Sequence, residues 1–249
     1  DTTLIRWANQ IQPKTLEQFN QRIVQLAVER KVTKGRKLRT DGTVVESNIR
    51  PPSDGRLLAD SVRVLARTVQ RGRKLLSAAG QKVQAGFTDL TQEAKGLSRQ
   101  IGETLRSKKE AAQAQGRQLY ENLLSMTEQT LQWAVQTEQQ LRKRSQQKAK
   151  RLAETLTHCM PLVKQVMEQT RRRILMKEKV PASEKIVSLF EEHTDIIRRG
   201  KESRPVEYGH KVWLNEVEGG LVSHYRILEG NPSDEQQWKP SLKAQQKTF

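Results

Sequence analysis

Arg36-Lys37-Leu38-Arg39-Thr40-Asp41-Gly42-Thr43-Val44-Val45-Glu46-Ser47-Asn48-Ile49 breaks with everything around it. Leu38, Thr40, Gly42 and Val44 alternate with charged or polar neighbours, a period-two trace that predicts a strand over residues 36–49. Gly42 is a candidate bend or bulge. Pro51-Pro52-Ser53-Asp54-Gly55 closes the stretch as a turn. One acidic residue, Asp41, stands in a strand whose other charges are mostly cationic. Glu46 is five residues away, an odd offset that puts it on the opposite face.

Outward from this strand, the two flanks differ. Before it, Leu16, Phe19, Ile23, Leu26 and Ala27 recur at spacings of three and four, predicting an amphipathic helix over residues 14–31. Thr15 is its candidate cap, with Gln18 in the capping-box position and Pro13 just outside. After it, residues 53–160 contain no proline and are rich in Ala, Gln, Leu, Lys, Arg and Glu, all helix-favouring or tolerant. Leu57, Leu58, Val62, Leu65 and Val69 form one apolar face. Leu119, Leu123, Met126, Thr130, Trp133, Thr137 and Leu141 form a seam resembling a coiled coil, and Leu152 to Met167 continue the pattern toward Pro161. Gly72, Gly80, Gly86, Gly96, Gly102 and Gly116 interrupt it, so several helices joined by short turns are expected, as a hairpin or small bundle. Strands return at Val206–Val217 and Leu221–Leu228, with Gly219-Gly220 between them as a hairpin signal. Asn231-Pro232-Ser233-Asp234 is a turn that can cap a following helix. A helical block between strands reads most simply as an insertion into an α/β domain.

Composition limits the function. The chain has 249 residues, 45 Lys+Arg against 28 Asp+Glu, a net charge of +17 and a mean hydropathy of −0.77. Hydrophobic residues make up 35 %, too few for one core running through every residue. No stretch approaches the roughly 18 apolar residues of a membrane span. The one cysteine, Cys159, excludes an internal disulfide framework and a multi-cysteine zinc site. Residues 51–180 hold 25 basic and 12 acidic side chains, so the excess charge gathers in the helical block. A polyanionic partner, with nucleic acid foremost, is the expectation. The competing reading is a solvated helical surface that happens to be basic.

Catalytic patterns are sparse. Cys159 beside His158 reads as a small buried thiol, and the histidines lack metal-ligand spacing. No Walker A loop or dinucleotide fingerprint is present. Asp41 is either a surface residue paired with Arg39 or Lys37, or a metal ligand; two-metal phosphoryl transfer needs further carboxylates from other elements. Trp133, Trp213 and Trp238 read as packing residues.

Three stretches together resemble bacterial insertion-sequence transposases of the DDE class, in the unclassified insertion-sequence group. These are Asp1 to Asn9 (DTTLIRWAN), then Gly35 to Glu46 with Pro52-Ser53-Asp54-Gly55-Arg56-Leu57-Leu58-Ala59-Asp60, and then Ser188 to Thr194 with Arg204-Pro205-Val206-Glu207-Tyr208-Gly209-His210-Lys211-Val212-Trp213-Leu214. The resemblance implies an RNase H-like catalytic domain using Asp, Asp and Glu to hold Mg²⁺ for DNA strand cleavage and transfer. Asp41 matches the first acidic residue and is the implied catalytic and metal ligand. The family's second Asp and later Glu have no counterpart, so the sequence reads as a front portion, inactive alone, cut within a helix-like run ending at Phe249. The implied DNA contacts are Arg36, Lys37 and Arg39 near the strand, with Arg142, Lys143, Arg144, Lys148, Lys150, Arg151, Arg171, Arg172 and Arg173 in the helical block. Each of these runs also has the reading of a solvated helix face.

The expected architecture is therefore α/β, mostly helical by residue count, with a partial RNase H-like sheet and a large all-helical insertion. Its segments are an N-terminal helical region (1–35), the first strand (36–52), the helical insertion (53–185), and the hairpin with the start of a helix (186–249). DNA, at transposon ends, is the implied partner. A homodimer is left open, no membrane is expected, and the implied location is cytoplasmic and nucleoid-associated. The alternative is a non-enzymatic basic helical protein that binds nucleic acid by charge, or a helical interaction module. Pairing of residues 38–46 beside 207–216 in one sheet separates the first reading from these, because a purely helical binder has no use for it.

Overall fold

Strand β1 (Leu38–Glu46) pairs antiparallel with β3 (Val206–Val217), Leu38 opposite Val217 and Glu46 opposite Gly209. The computed structural model describes residues 2–8, 10–80, 85–106, 109–199 and 205–249; of the stretches carrying the family resemblance, Asp1, Asn9 and Arg204 lie outside these. The fold is mixed α/β and mostly helical, with one small antiparallel sheet of four strands. It divides into two compact units, residues 1–47 with 195–249, and residues 48–194.

In the sheet unit, β3 is central. β1 lies on one edge of it, and β2 (Asp195–Arg198) and β4 (Leu221–Leu228) share the other. The end of β4 meets the start of β2, where the Gly230 amide donates to Asp195 at 3.0 Å. The β3–β4 turn has positive φ at both Gly219 (84°) and Gly220 (77°), a conformation that glycine adopts without steric cost. Gly42 holds a regular register against Trp213. The irregularity expected there lies instead at Asn215/Glu216, between β3 and β4. The strand is also shorter than 36–49, because the backbone of Lys34, Arg36 and Lys37 is held by the Glu218 carboxylate, at 3.0, 3.2 and 3.3 Å, rather than by a neighbouring strand.

Helix α1 spans Thr2–Ala8 and α2 spans Pro13–Glu29. Pro13 begins α2 rather than preceding it, and Thr15 does not cap it; the first turn needs no N–H from proline. α2 lies against β4 through buried Val24 and an Asn20 bond to the Ser223 carbonyl. Its predicted apolar stripe is rotated away from that contact and exposed, Phe19 at 67 %. Helix α7 (Trp238–Thr248) packs on β3 through Ser241. Trp213 Nε1 donates to the Ser241 hydroxyl at 2.8 Å, which donates to Asn215 Oδ1 at 2.8 Å. Such a satisfied buried polar chain fixes register as well as adding stability.

The helical unit contains α3 (Asp54–Ala78), α4 (Thr91–Thr104), α5 (Glu110–Arg142) and α6 (Gln147–Thr170). It extends beyond 53–185 at both ends, taking in residues 48–52 and 186–194. Ser53 caps α3 by accepting from the Arg56 amide at 3.3 Å. α5 contacts α3, α4 and α6, so its buried positions form a broad band rather than a narrow seam: Tyr120, Leu124, Thr127, Leu131, Ala134 and Glu138 join Leu123, Thr130, Thr137 and Leu141. Of the six glycines expected to break helices, Gly72, Gly96, Gly102 and Gly116 lie inside them. Gly72 is there for closeness, since a Cβ would stand 2.8 Å from Thr137 Cγ2 and 3.0 Å from Leu141 Cδ1. α6 runs through Pro161 and ends in a π-helical turn, Arg171–Leu175.

That turn supplies the ion pair joining the two ends of the unit. Asp54, in the first turn of α3, has a side chain only 4 % exposed, and Arg173 Nη1 donates to Oδ1 at 2.8 Å and to Oδ2 at 2.7 Å. Gln169 Nε2 approaches Oδ1 at 3.4 Å, while the Gln169 amide also bonds both the Ile186 N–H and its carbonyl. Burial, and then the Asp54 charge, push the neighbouring Tyr120 hydroxyl up to about 12.

Candidate nucleic-acid interface

Charge is concentrated in the helical unit, where residues 48–194 carry 27 Lys/Arg against 15 Asp/Glu, a net +12. On α3, Leu58, Val62, Leu65, Val69 and Leu76 face the core. The opposite face carries Arg56, Asp60, Arg63, Arg67, Arg71 and Lys74, which recur every three to four residues. At 1.5 Å per residue this stripe is ~27 Å long. Asp60 is engaged by Arg63 at 2.8 Å. Arg67, Arg71 and Lys74 are exposed and have no carboxylate partner among the described residues. Arg71 and Lys74 meet Gln146 and Lys148, at the start of α6, around a cleft of about 440 Å³ that has no acidic residue in its wall.

The basic residues expected from sequence fall into distinct groups. Arg171, Arg172 and Arg173 serve the unit's own architecture. Arg171 reaches Glu128 at 3.4 Å, Arg172 reaches Glu178 at 2.9 Å and Glu184 at 2.7 Å, and Arg173 is committed to Asp54. Hydrogen bonds to Glu184 and Glu178 hold the Arg172 guanidinium above its ordinary range. Arg142 donates to buried Glu138 and to the Thr157 hydroxyl, 3.0 Å away. Lys143 and Arg144 follow at the α5 C-terminus, where cations also suit the helix dipole. Lys143 has no carboxylate partner among the described residues, whereas Arg144 has a buried Nε without a bond. In the sheet unit, Arg36 and Lys37 are exposed, and Arg39 pairs across the strands with Glu216 at 3.7 Å.

Asp41 is exposed, opposite Leu214 of β3, on the β1 face shared with Arg39, Thr43 and Val45. Neither Arg39 nor Lys37 forms an ion pair with it among the described residues; Arg39 takes Glu216 instead. The described residues contain no group of three or more His, Cys, Asp or Glu able to hold a metal ion. Mg²⁺ takes six oxygens in near-octahedral geometry, and two-metal sites draw carboxylates from several elements. The residues around Asp41 therefore do not fit a magnesium site by themselves.

Sequence reasoning overlooked Arg67, Arg71 and Lys74. The signal was present as their i, i+4, i+7 spacing opposite the Leu/Val face, which a search for contiguous basic runs passes over. Cys159 is half-buried, and burial with the Glu192 charge pushes its thiol up, away from nucleophilic character. Trp133 packs edge-on to Phe87, with centroids 5.9 Å apart, and Trp213 is buried at α7. Trp238 is half exposed. Among the described residues no helix is long and apolar enough to cross a membrane. No protein-family model matches the sequence, no curated protein matches it, and no solved structure matches it.

Proposed function

We propose that this chain is a DNA-binding part of a DDE-class transposase, with Asp41 as the first acidic residue of that family's set. The observation that carries the reading is the arrangement around Asp41. Its strand lies in register beside Gly209–Val217 in one sheet backed by α7, and a basic helical unit interrupts the chain between those two strands. A protein that bound nucleic acid through helices alone would not need the Asp41 strand paired with that hairpin. The cationic face of α3 and the Lys148 cleft provide the phosphate contacts, which position a duplex without reading its sequence. DNA binding is the activity assigned to this chain. Strand cleavage belongs to a protein carrying the family's complete acidic set, together with Mg²⁺. The location that follows is with the chromosomal DNA.

The test replaces Asp41 in two settings. In this chain, Asp41→Asn leaves duplex affinity unchanged within twofold. In a relative with all three acidic residues, the matching change abolishes nicking of a supercoiled plasmid. Nicking that continues at the parental rate removes Asp41 from the site and, with it, the transposase reading.

A further inference from the structure

A second cleft, of about 580 Å³, lies wholly within the helical unit at the start of α3 and α4. Besides Arg63, three cations border it: Arg50 in the loop before α3, Arg56 in the first turn of α3, and Lys95 on α4. All three are exposed, and none has a carboxylate partner among the described residues; Arg56 Nη1 donates to the Pro51 carbonyl at 3.2 Å. Asp60 in the same wall is taken by Arg63 at 2.8 Å, and Glu191 lies 3.6 Å from His193. Four cations against the two carboxylates of Asp60 and Glu191 leave the cleft wall with a net charge of +2. Hydroxyls of Ser53, Thr91 and Ser98 stand among the cations, and the floor is apolar, with Leu57 and Val187 buried.

One aromatic ring completes the arrangement. Phe190 is 59 % exposed, and the Arg63 guanidinium, itself held by Asp60, sits 5.2 Å from its centroid. One side of the ring is fixed by that contact. An exposed aromatic face beside cations without carboxylate partners suits a ligand with a planar ring and a phosphate. The cleft volume falls in the range of small-molecule sites. The N-terminal ends of α3 and α4 add positive potential at the same place.

We propose that this cleft binds a nucleoside phosphate, with the phosphate on Arg50, Arg56 and Lys95 and the base against Phe190. The same chemistry is offered by a free mononucleotide or by the 5′-phosphorylated end of a strand. The site uses neither Asp41 nor the sheet, so it stands or falls separately from the transposase reading.

The experiment is calorimetric titration of the full chain at 50 mM salt with inorganic phosphate, ribose 5-phosphate and AMP. AMP should saturate one site and bind about tenfold more tightly than ribose 5-phosphate, the increment expected from stacking one base. Phe190→Leu removes that difference, and Arg56→Ala with Lys95→Ala weakens AMP at least tenfold, whereas Lys164→Ala does not. A 5′-phosphorylated dodecamer that displaces AMP, with the 5′-hydroxyl form inert, identifies a strand end as the source. AMP that no oligonucleotide displaces identifies the free nucleotide. Absence of saturable AMP binding, or equal affinities for AMP and ribose 5-phosphate in the parental chain, overturns the proposal without recourse to any variant.

Discussion

Replacing Arg173 by Met should be the most damaging single change to the helical unit. The Asp54 side chain is 4 % exposed, and its charge is matched by two Arg173 bonds of 2.7 and 2.8 Å. Arg173→Met keeps the packing volume but leaves the carboxylate buried, with only the 3.4 Å approach of Gln169. Removing one partner of a buried pair costs about 3–5 kcal/mol. Asp54→Ala is milder, because the Arg173 side chain is 38 % exposed and rehydrates once released. Its loss is that of hydrogen bonds to a charged group, about 1.5–3 kcal/mol. The double variant should then be less destabilised than the sum of the singles, since each removes the same interaction. Urea unfolding of the full chain, followed by the helical circular dichroism signal, measures all three. For a unit of this size each kcal/mol corresponds to about 2–4 °C in Tm, so a loss of about 3–5 kcal/mol should lower it by roughly 6–20 °C in Arg173→Met. Equal losses for the two single variants, or strict additivity in the double, would refute the claim that burial of Asp54 makes this pair matter.

Two further changes test the packing and the turn. Gly72→Ala gains about 1 kcal/mol in helix propensity, yet its new methyl would press Thr137 and Leu141; overpacking of about 1–3 kcal/mol should exceed the gain, and a raised Tm would contradict this. Glu218, through its own amide and those of Arg36, Lys34 and Lys37, is held at about 2 against an ordinary 4.5. A depressed carboxylate contributes stability that is present above pH 4.5 and is lost as pH falls through 2. Tm measured against pH should therefore fall across that window in the parental chain and be flatter in Glu218→Gln.

The period-two strand, the Gly219-Gly220 hairpin and the helical nature of the long middle block were all legible in the sequence. Alternation and turn chemistry are local properties, whereas the β1–β3 partnership was an expectation of the family resemblance alone. What was not legible depended on tertiary neighbours. Gly72 looked like a helix breaker because nothing in the sequence shows Thr137 and Leu141 lying against it. The α2 stripe looked like core, yet the contact with β4 uses Val24 on a different side of the helix. The Arg171-Arg172-Arg173 run looked like a phosphate contact because its carboxylate partners Glu128, Glu178, Glu184 and Asp54 are scattered along the chain. The spaced cations of α3 were less conspicuous than that run, and Arg67, Arg71 and Lys74 have no carboxylate partner among the described residues.

The salt dependence of duplex DNA binding tests the central claim most directly. Each phosphate neutralised by a cation contributes about −0.9 to the slope of log K against log salt. Changing Arg67, Arg71, Lys74 and Lys148 to Gln together should flatten that slope by about 3.6 and weaken binding at every salt concentration, while Arg171→Gln alters it little. A slope unchanged by the fourfold substitution would mean that DNA does not touch this face, and the assignment of the helical unit as a DNA-binding surface would fail.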